Sequence, residues 1–278
     1  MQYFKVDVQT YLKNKMIIAV TFVLLLVSVA SPISTYYINA QWDGFAKEIG
    51  ENPFQFWLLM DSVGWGHAVY HALFWVLPVL LTGLVYYNQK SSSIYELLIV
   101  RGNRKQYFLS KVFCQFLFSF VIVFGVLSIN VIVTYLIYPI DAPMTEQYMY
   151  LIPQKGMFAL WFYEVNPLYM VFLYVFLNAI ATSLLSILVL AIHELFTFKN
   201  VYMAFLVPFI SIFVGYYLIS MLLGDNQRFD LGIILQPRSV GVLENTIYAF
   251  DVILVFMTLF ILDIGLLIMG YMRNKEVC

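Results

Sequence analysis

Two acidic residues within a predicted membrane helix are the leading candidates for chemistry in this 278-residue chain. Asp251 and Asp263 both fall in the last apolar stretch. An ionisable side chain inside a membrane helix indicates a functional site, because a charge is costly to place in lipid. Asp263 lies about 24 Å from the outer start of that span, and its twelve-residue offset turns it about 120° away from Asp251. We interpret Asp263 as the stronger candidate for a cavity-lining or proton-coupling acid; a hydrogen bond to a neighbouring helix is the structural alternative.

Three histidines are the next candidates, because imidazole binds metals and haem. His67 and His71 are four residues apart at the predicted outer end of the second span, so they share a helix face. His193 lies nearly a membrane thickness away, whereas a bis-histidine haem needs both ligands at one depth. A metal at His67 and His71 would need a third ligand, for which Asp61 is close in sequence. We interpret the histidines as polar residues at the membrane boundary and predict neither a metal site nor a bound cofactor.

Motifs for nucleotide binding and hydrolysis are absent from the sequence. No Gly-x4-Gly-Lys-Ser/Thr loop occurs, so ATP-driven transport would need its ATPase on another polypeptide. No Gly-x-Ser motif occurs either, and an enzyme is not expected. Cys114 and Cys278 have no metal spacing and do not indicate a disulfide framework. A net charge of −1 gives no footprint for nucleic acid.

The connector at residues 91–111 has an unusually well-defined pattern for a loop. Ser93 and Glu96 have the N-cap and N3 spacing of a capping box, and Gly102 supplies a residue that can end the helix in a left-handed conformation. The helix between them is apolar nearly all round, which favours burial on two sides. One face would rest on the inner ends of the spans, and the other would meet a partner protein or the lipid headgroups.

Composition and hydropathy define the frame that positions these residues. The chain is 62% hydrophobic and 11% charged, against about 45–50% and about 25% for a soluble domain. Six stretches reach the roughly 20 residues that a helix needs to cross about 30 Å of hydrocarbon. We predict one all-α polytopic membrane domain, 1–278, with spans near 16–38, 67–87, 112–138, 169–195, 201–223 and 247–272.

The distribution of lysine and arginine predicts the orientation. With a cytosolic N-terminus, the inner segments carry eleven of these residues: Lys5, Lys13, Lys15, Lys90, Arg101, Arg104, Lys105, Lys111, Lys199, Arg273 and Lys275. The outer segments carry four: Lys47, Lys155, Arg228 and Arg238. The positive-inside bias therefore places both termini in the cytosol.

Segments outside the spans also show patterns. Phe4, Val8, Tyr11 and Leu12 recur at helical spacing while Asp7 falls elsewhere, which favours an interfacial helix within residues 1–15 over a frayed tail. Aromatic residues in the outer connections predict segments lying on the outer leaflet. These include Phe54, Phe56 and Trp57 in the first connection, while 224–246 could form a helical dip. Glu194, beside the short inner turn 196–200, is interpreted as a solvated helix end.

The whole pattern resembles the membrane subunits of ATP-binding cassette exporters of the type-2 class. The resemblance spans the chain: an interfacial helix, six spans, a coupling helix between spans two and three, and an embedded outer segment between spans five and six. Locally, Glu96, Gly102, Arg104 and Lys111 match that class's order of Glu, several apolar residues, Gly, a basic residue and Lys at the start of the third span.

The resemblance implies a permease subunit in a cell membrane, by expectation bacterial. Its partners would be a cytosolic ATPase that binds ATP and Mg²⁺, and a second permease that is identical or different. The implied docking residues are Ile94, Tyr95, Glu96, Leu97, Leu98, Ile99, Val100, Arg101, Gly102 and Arg104. Aromatic and aliphatic walls favour export of an amphipathic or hydrophobic peptide, lipid or drug. The alternatives are an ion- or proton-coupled carrier, which would use Asp263, and a membrane scaffold without transport.

Overall fold

A computed structural model describes residues 2–41, 52–61, 64–92, 104–138, 153, 156–224, 227–237 and 247–275. Within these ranges the regular structure is entirely helical, as the sequence predicts. The helices are α1 Gln2–Lys13, α2 Lys15–Gln41, α3 Pro53–Phe56, α4 Trp65–Phe74, α5 Val79–Lys90, α6 Arg104–Ile137, α7 Leu160–Val165, α8 Pro167–Leu195, α9 Val201–Leu223, α10 Leu231–Ile234 and α11 Ala249–Lys275.

Five of the described helices are long and apolar enough to cross a membrane: α2, α6, α8, α9 and α11. The predicted second span, 67–87, is not one straight helix. It consists of α4 and α5, which meet at 51°. Pro78 lies at the break, where its missing N–H cannot donate to the carbonyl of Phe74. The first turns of α5, Val79–Gly83, then form a π-helix, a form that often accompanies such a break.

Helix α8 lies at the centre of the bundle. Of its apolar stretch, 83% is buried, against 11% in α9 and 17% in α11. Its buried core residues pack with residues from α2, α4, α6 and α11. Helices α9 and α11 therefore lie at the periphery of the bundle and have apolar faces that point outward.

A polar column runs along the central helix at four-residue intervals, through Tyr174, Asn178, Thr182 and Ser186. The side chains of Asn178, Thr182 and Ser186 each donate to the backbone carbonyl four residues earlier. This local bonding allows polar side chains to be buried in an otherwise apolar core.

The described part of the first predicted outer connection, residues 52–61, is buried in the bundle, while its predicted place on the outer leaflet stays a prediction. Trp57 is 0% exposed, and Phe54 and Phe56 are each 2% exposed. Asn130 of α6 accepts the N–H of Leu58 at 2.8 Å and donates to the Ser28 carbonyl of α2 at 2.7 Å. Irregular backbone can lie deep in a membrane protein only when other groups satisfy it, and Asn130 meets that need.

Helix α1 packs along the beginning of α6. The rings of Tyr11 and Phe118 stack with centroids 4.9 Å apart. The contacting face includes Phe4, Val8 and Tyr11 of the predicted apolar set, but it also includes Asp7, which is 1% exposed, and it leaves out Leu12, which is 63% exposed. An ion pair described below draws Asp7 inward. The helix itself is confirmed, and its position at a membrane interface stays a prediction.

Part of the predicted helical dip at 224–246 is helical. Helix α10 is capped by Asp230, whose carboxylate accepts the N–H groups of Gly232 and Ile233. Asn178 of the central helix donates to the Leu235 carbonyl at 3.1 Å, which holds this segment against the bundle.

Candidate functional site

The predicted docking helix joins α5 to α6, and these two helices define where it attaches. Residues 94–102 lie outside the described residues, so the docking helix stays a prediction. Arg104 begins α6. Residues 93–103 attach at one end of the bundle, which is called the connector end. The candidate site is the group of charged and polar side chains at this end.

Five residues form the anchor cluster: Asp7, Gln89, Lys90, Lys111 and Glu194. They come from α1, α5, α6 and α8. Gln89 and Lys90 end the helix before residues 93–103, and Lys111 lies two turns into the helix after them. The cluster therefore fixes both flanks of the predicted docking helix.

Lys111 is the first centre of the cluster. Its Nζ forms an ion pair with Asp7 Oδ1 and donates to Gln89 Oε1 at 2.5 Å. Ser110 donates to the other oxygen of Asp7 at 2.8 Å. Both charged side chains are only 2% exposed, which places the pair among buried ion pairs. One lysine thus joins α1, α5 and α6.

Glu194 is the second centre, and its predicted role as a solvated helix end is wrong. It is 3% exposed because Tyr86 donates to Oε1 and the Nζ of Lys90 lies 4.0 Å from Oε2. Lys90 also donates to the His193 carbonyl at 2.6 Å. A lysine at the C-terminal end of α8 satisfies a carbonyl that has no partner within the helix and complements the helix dipole.

Helix α11 joins the same end of α8. Arg273 donates to the Leu195 carbonyl at 2.5 Å. A Cβ placed on Gly270 would lie 2.6 Å from the Cβ of Glu194, so only glycine allows this close approach. The connector end consequently ties the flanks of residues 93–103 to α1, α8 and α11.

The chemistry of the anchor cluster suits positioning rather than bond making. Its charges are paired, and its lysines are further bonded to an amide oxygen or a helix-end carbonyl. Breaking one buried pair is strongly destabilising, because it leaves an uncompensated charge. The cluster therefore links the ends of four helices, α1, α5, α6 and α8.

The two predicted intramembrane acids are not brought together. Asp251 is 3% exposed and accepts the N–H of Tyr248 at 2.9 Å, which gives it a structural role at the start of α11. Asp263 is 2% exposed, and neither of its carboxylate oxygens has a hydrogen-bond partner in the part of the chain that the structure describes.

His67 and His71 lie side by side, as their four-residue spacing predicts. The rings of His67 and His71 have centroids 4.4 Å apart, and Nδ1 of His67 lies 3.0 Å from the Leu58 carbonyl. His193, 1% exposed, lies at the connector end. Among the described residues, no group of three or more His, Cys, Asp and Glu side chains is placed to hold a metal ion.

Sequence reasoning missed the anchor cluster. Lys111 and Asp7 are separated by 104 positions, and Lys90 and Glu194 by a similar length of chain. The sequence does show isolated charged residues at the borders of apolar stretches. The positive-inside rule counts such residues as solvated, so their pairing was not predicted. A charge beside an apolar helix end can equally be the partner of another such charge.

Comparison with known proteins adds no assignment. No protein-family model, no curated protein and no solved structure matches the chain. The function proposed below is supported by the geometry of the connector end and by the pattern of spans.

Proposed function

We propose that this chain is the permease subunit of an ATP-driven exporter of the type-2 ATP-binding cassette class. Counting α4 and α5 as one bent span gives six spans, and lysine and arginine then favour cytosolic termini. The subunit would work in a cell membrane with a cytosolic ATPase and a second permease.

The anchor cluster is the observation that carries the proposal. A loop without a mechanical role needs no buried ion pair at its border, since such pairs often contribute little net stability. Here Lys90 and Lys111 flank residues 93–103 and connect them to α1, α6 and α8. That arrangement supports a lever between a docked partner and the spans.

The proposed mechanism divides the work between two proteins. The ATPase binds ATP and Mg²⁺ and closes around them, which displaces the docking helix at 94–102. The anchor cluster then moves α8 and the helices packed on it, and the pathway between two permeases changes its accessibility. The apolar outward faces of α9 and α11 are suited to contact with lipid or with the second permease.

The cargo proposed for this permease is amphipathic or hydrophobic. Aromatic residues make up 18% of the chain, and stacked rings run along α6 and α9. Such surfaces accept apolar groups with little sequence-specific polar recognition. A hydrophobic peptide, a lipid or a drug fits this chemistry.

Copurification of the ATPase tests the proposal. The full chain is expressed with its neighbouring genes, extracted in mild detergent and purified through a tag on the permease. We expect an ATPase with a phosphate-binding loop to copurify, and to be lost with Leu97→Asp or Leu98→Asp, because a charge would be buried at the contact.

Leu97→Met is the matched control, since it keeps an apolar side chain of similar volume. It should retain the ATPase at the level of the unaltered chain. Retention of the ATPase by both aspartate variants would show that docking does not use this helix. The absence of any ATPase with the unaltered chain would contradict the proposed class.

A further inference from the structure

Helix α11 faces α8 with one continuous buried stripe. Val252, Leu267 and Gly270 are buried on this stripe, and Phe256 and Leu259 are partly buried on it. Asp263 belongs to the same stripe, because it lies four residues after Leu259 and four residues before Leu267. A carboxyl group therefore stands in the middle of a helix–helix interface whose other positions are apolar or glycine.

Among the described residues, neither oxygen of this carboxyl group has a hydrogen-bond partner. The other titratable and charged groups on the packed elements are Tyr169, Tyr174, His193 and Glu194 on α8; Arg104, Lys105, Tyr107, Lys111, Cys114 and Tyr135 on α6; Arg228 and Asp230 near α10; and Asp251, Tyr271, Arg273 and Lys275 on α11 itself. Glu194 lies opposite Gly270, about 10 Å along the helix from Asp263.

Two charged groups on the packed helices already have partners. Glu194 is held by Tyr86 and Lys90, and Lys111 is held by Asp7. An ionised Asp263 would consequently be a buried charge without compensation, which a helix interface does not tolerate. The neutral acid is the form that fits the packed interface.

A buried acceptor lies near the same level of the bundle. Gln115 of α6 donates to the Ser186 carbonyl at 3.0 Å, while its own Oε1 has no hydrogen-bond partner among the residues described. Leu267 packs in one cluster with Ile187 and Phe116. Ile187 follows Ser186 in the sequence, and Phe116 follows Gln115. A protonated carboxyl group is a donor and Gln115 Oε1 is an acceptor, but the two are not hydrogen-bonded in this structure.

We propose that Asp263 is a proton-binding site whose occupancy is linked to the packing of α11 on α8. The carboxyl group holds its proton while the helices are in contact. When α11 separates and water enters, the O–H bond breaks, the proton passes to water and the carboxylate becomes solvated. Protonation thereby favours the packed state, and deprotonation favours the open one. Proton binding at Asp263 is independent of ATPase docking.

Infrared difference spectroscopy tests the site on the full chain in phosphatidylcholine liposomes. At neutral pH we expect a C=O stretching band of a protonated carboxyl group, lost completely in Asp263→Asn and retained in Asp251→Asn. Asp263→Glu should keep the band at a shifted position, which separates loss of the proton from loss of the fold. A spectrum unchanged by Asp263→Asn, or a band lost in Asp251→Asn instead, would overturn the assignment.

The linkage to packing has its own test. Gly270→Leu forces α11 away from Glu194, whereas the Gly265 position has no atom within 4 Å of an added Cβ and Gly265→Leu is the matched control. As the pH is raised, the carboxyl band should disappear at a lower pH in Gly270→Leu than in the unaltered protein, because separation of the helices favours the carboxylate. In Gly265→Leu the band should disappear at the same pH as in the unaltered protein. Equal titration of both variants would refute the coupling between the proton and the interface.

Discussion

Removing one partner of the Asp7–Lys111 pair should destabilise the protein far more than removing a surface charge. Each side chain is 2% exposed, so the magnitude for buried pairs applies. We expect Lys111→Met to lower the free energy of unfolding by about 3–5 kcal/mol, because it leaves the Asp7 carboxylate buried without compensation. An exposed pair would contribute about 0–1 kcal/mol.

Replacing both partners should recover most of this loss. In Asp7→Leu with Lys111→Met neither charge of this pair remains, and the groups left unpaired are the neutral Gln89 amide and Ser110 hydroxyl. Each lost neutral hydrogen bond costs about 0.5–1.5 kcal/mol, so the double variant should lie about 1–3 kcal/mol below the unaltered protein. The two single changes are therefore strongly non-additive.

Thermal unfolding in detergent, followed by intrinsic fluorescence, measures the effect. At roughly 2–4 °C per kcal/mol, Lys111→Met should lower the midpoint by about 6–20 °C. Lys13→Met, which removes an exposed lysine from the end of α1, should leave the midpoint nearly unchanged. A small shift in Lys111→Met, or additive single changes, would refute the interpretation of a buried, coupled pair.

Two further substitutions test the packing around the site. Asn130→Leu should lower the free energy of unfolding by about 1–3 kcal/mol, because the buried N–H of Leu58 loses its acceptor. Thermal unfolding measures the loss, with the exposed Ile129→Leu as control. Equal midpoints for the two variants would contradict the role of Asn130. Gly270→Ala should destabilise the protein by about 1–3 kcal/mol through overpacking against Glu194. Gly265→Ala should be neutral or should stabilise the protein by up to about 1 kcal/mol. Equal unfolding midpoints for these two variants would show that α8 and α11 do not approach closely at Gly270.

The spans could be predicted from the sequence because hydropathy is a local property. The boundaries of α2, α8, α9 and α11 fall within three residues of the predicted stretches, whereas α6 begins eight residues before the predicted start at 112. The bend between α4 and α5 was not predicted, although Pro78 signals it, because an apolar stretch of sufficient length looks the same whether straight or broken. The burial of the first outer connection depends on Asn130, a contact across 72 positions.

The anchor cluster could not be predicted because its pairs are non-local. Asp7 and Glu194 each look like a charge in a polar flank, and only the packing of α1 on α6 and of α5 on α8 shows their partners. The intramembrane carboxyl group of Asp263 was predictable by its rarity within a span. Its lack of a hydrogen-bond partner among the described residues required the structure.

Photo-crosslinking from position 98 tests the central claim most directly. A photoreactive amino acid replaces Leu98 in the full chain, and illumination in native membranes is followed by identification of the crosslinked species. The proposed function predicts a permease–ATPase product that ATP binding modulates. Crosslinks to lipid alone would contradict docking and would place the helix at 94–102 among the lipid headgroups.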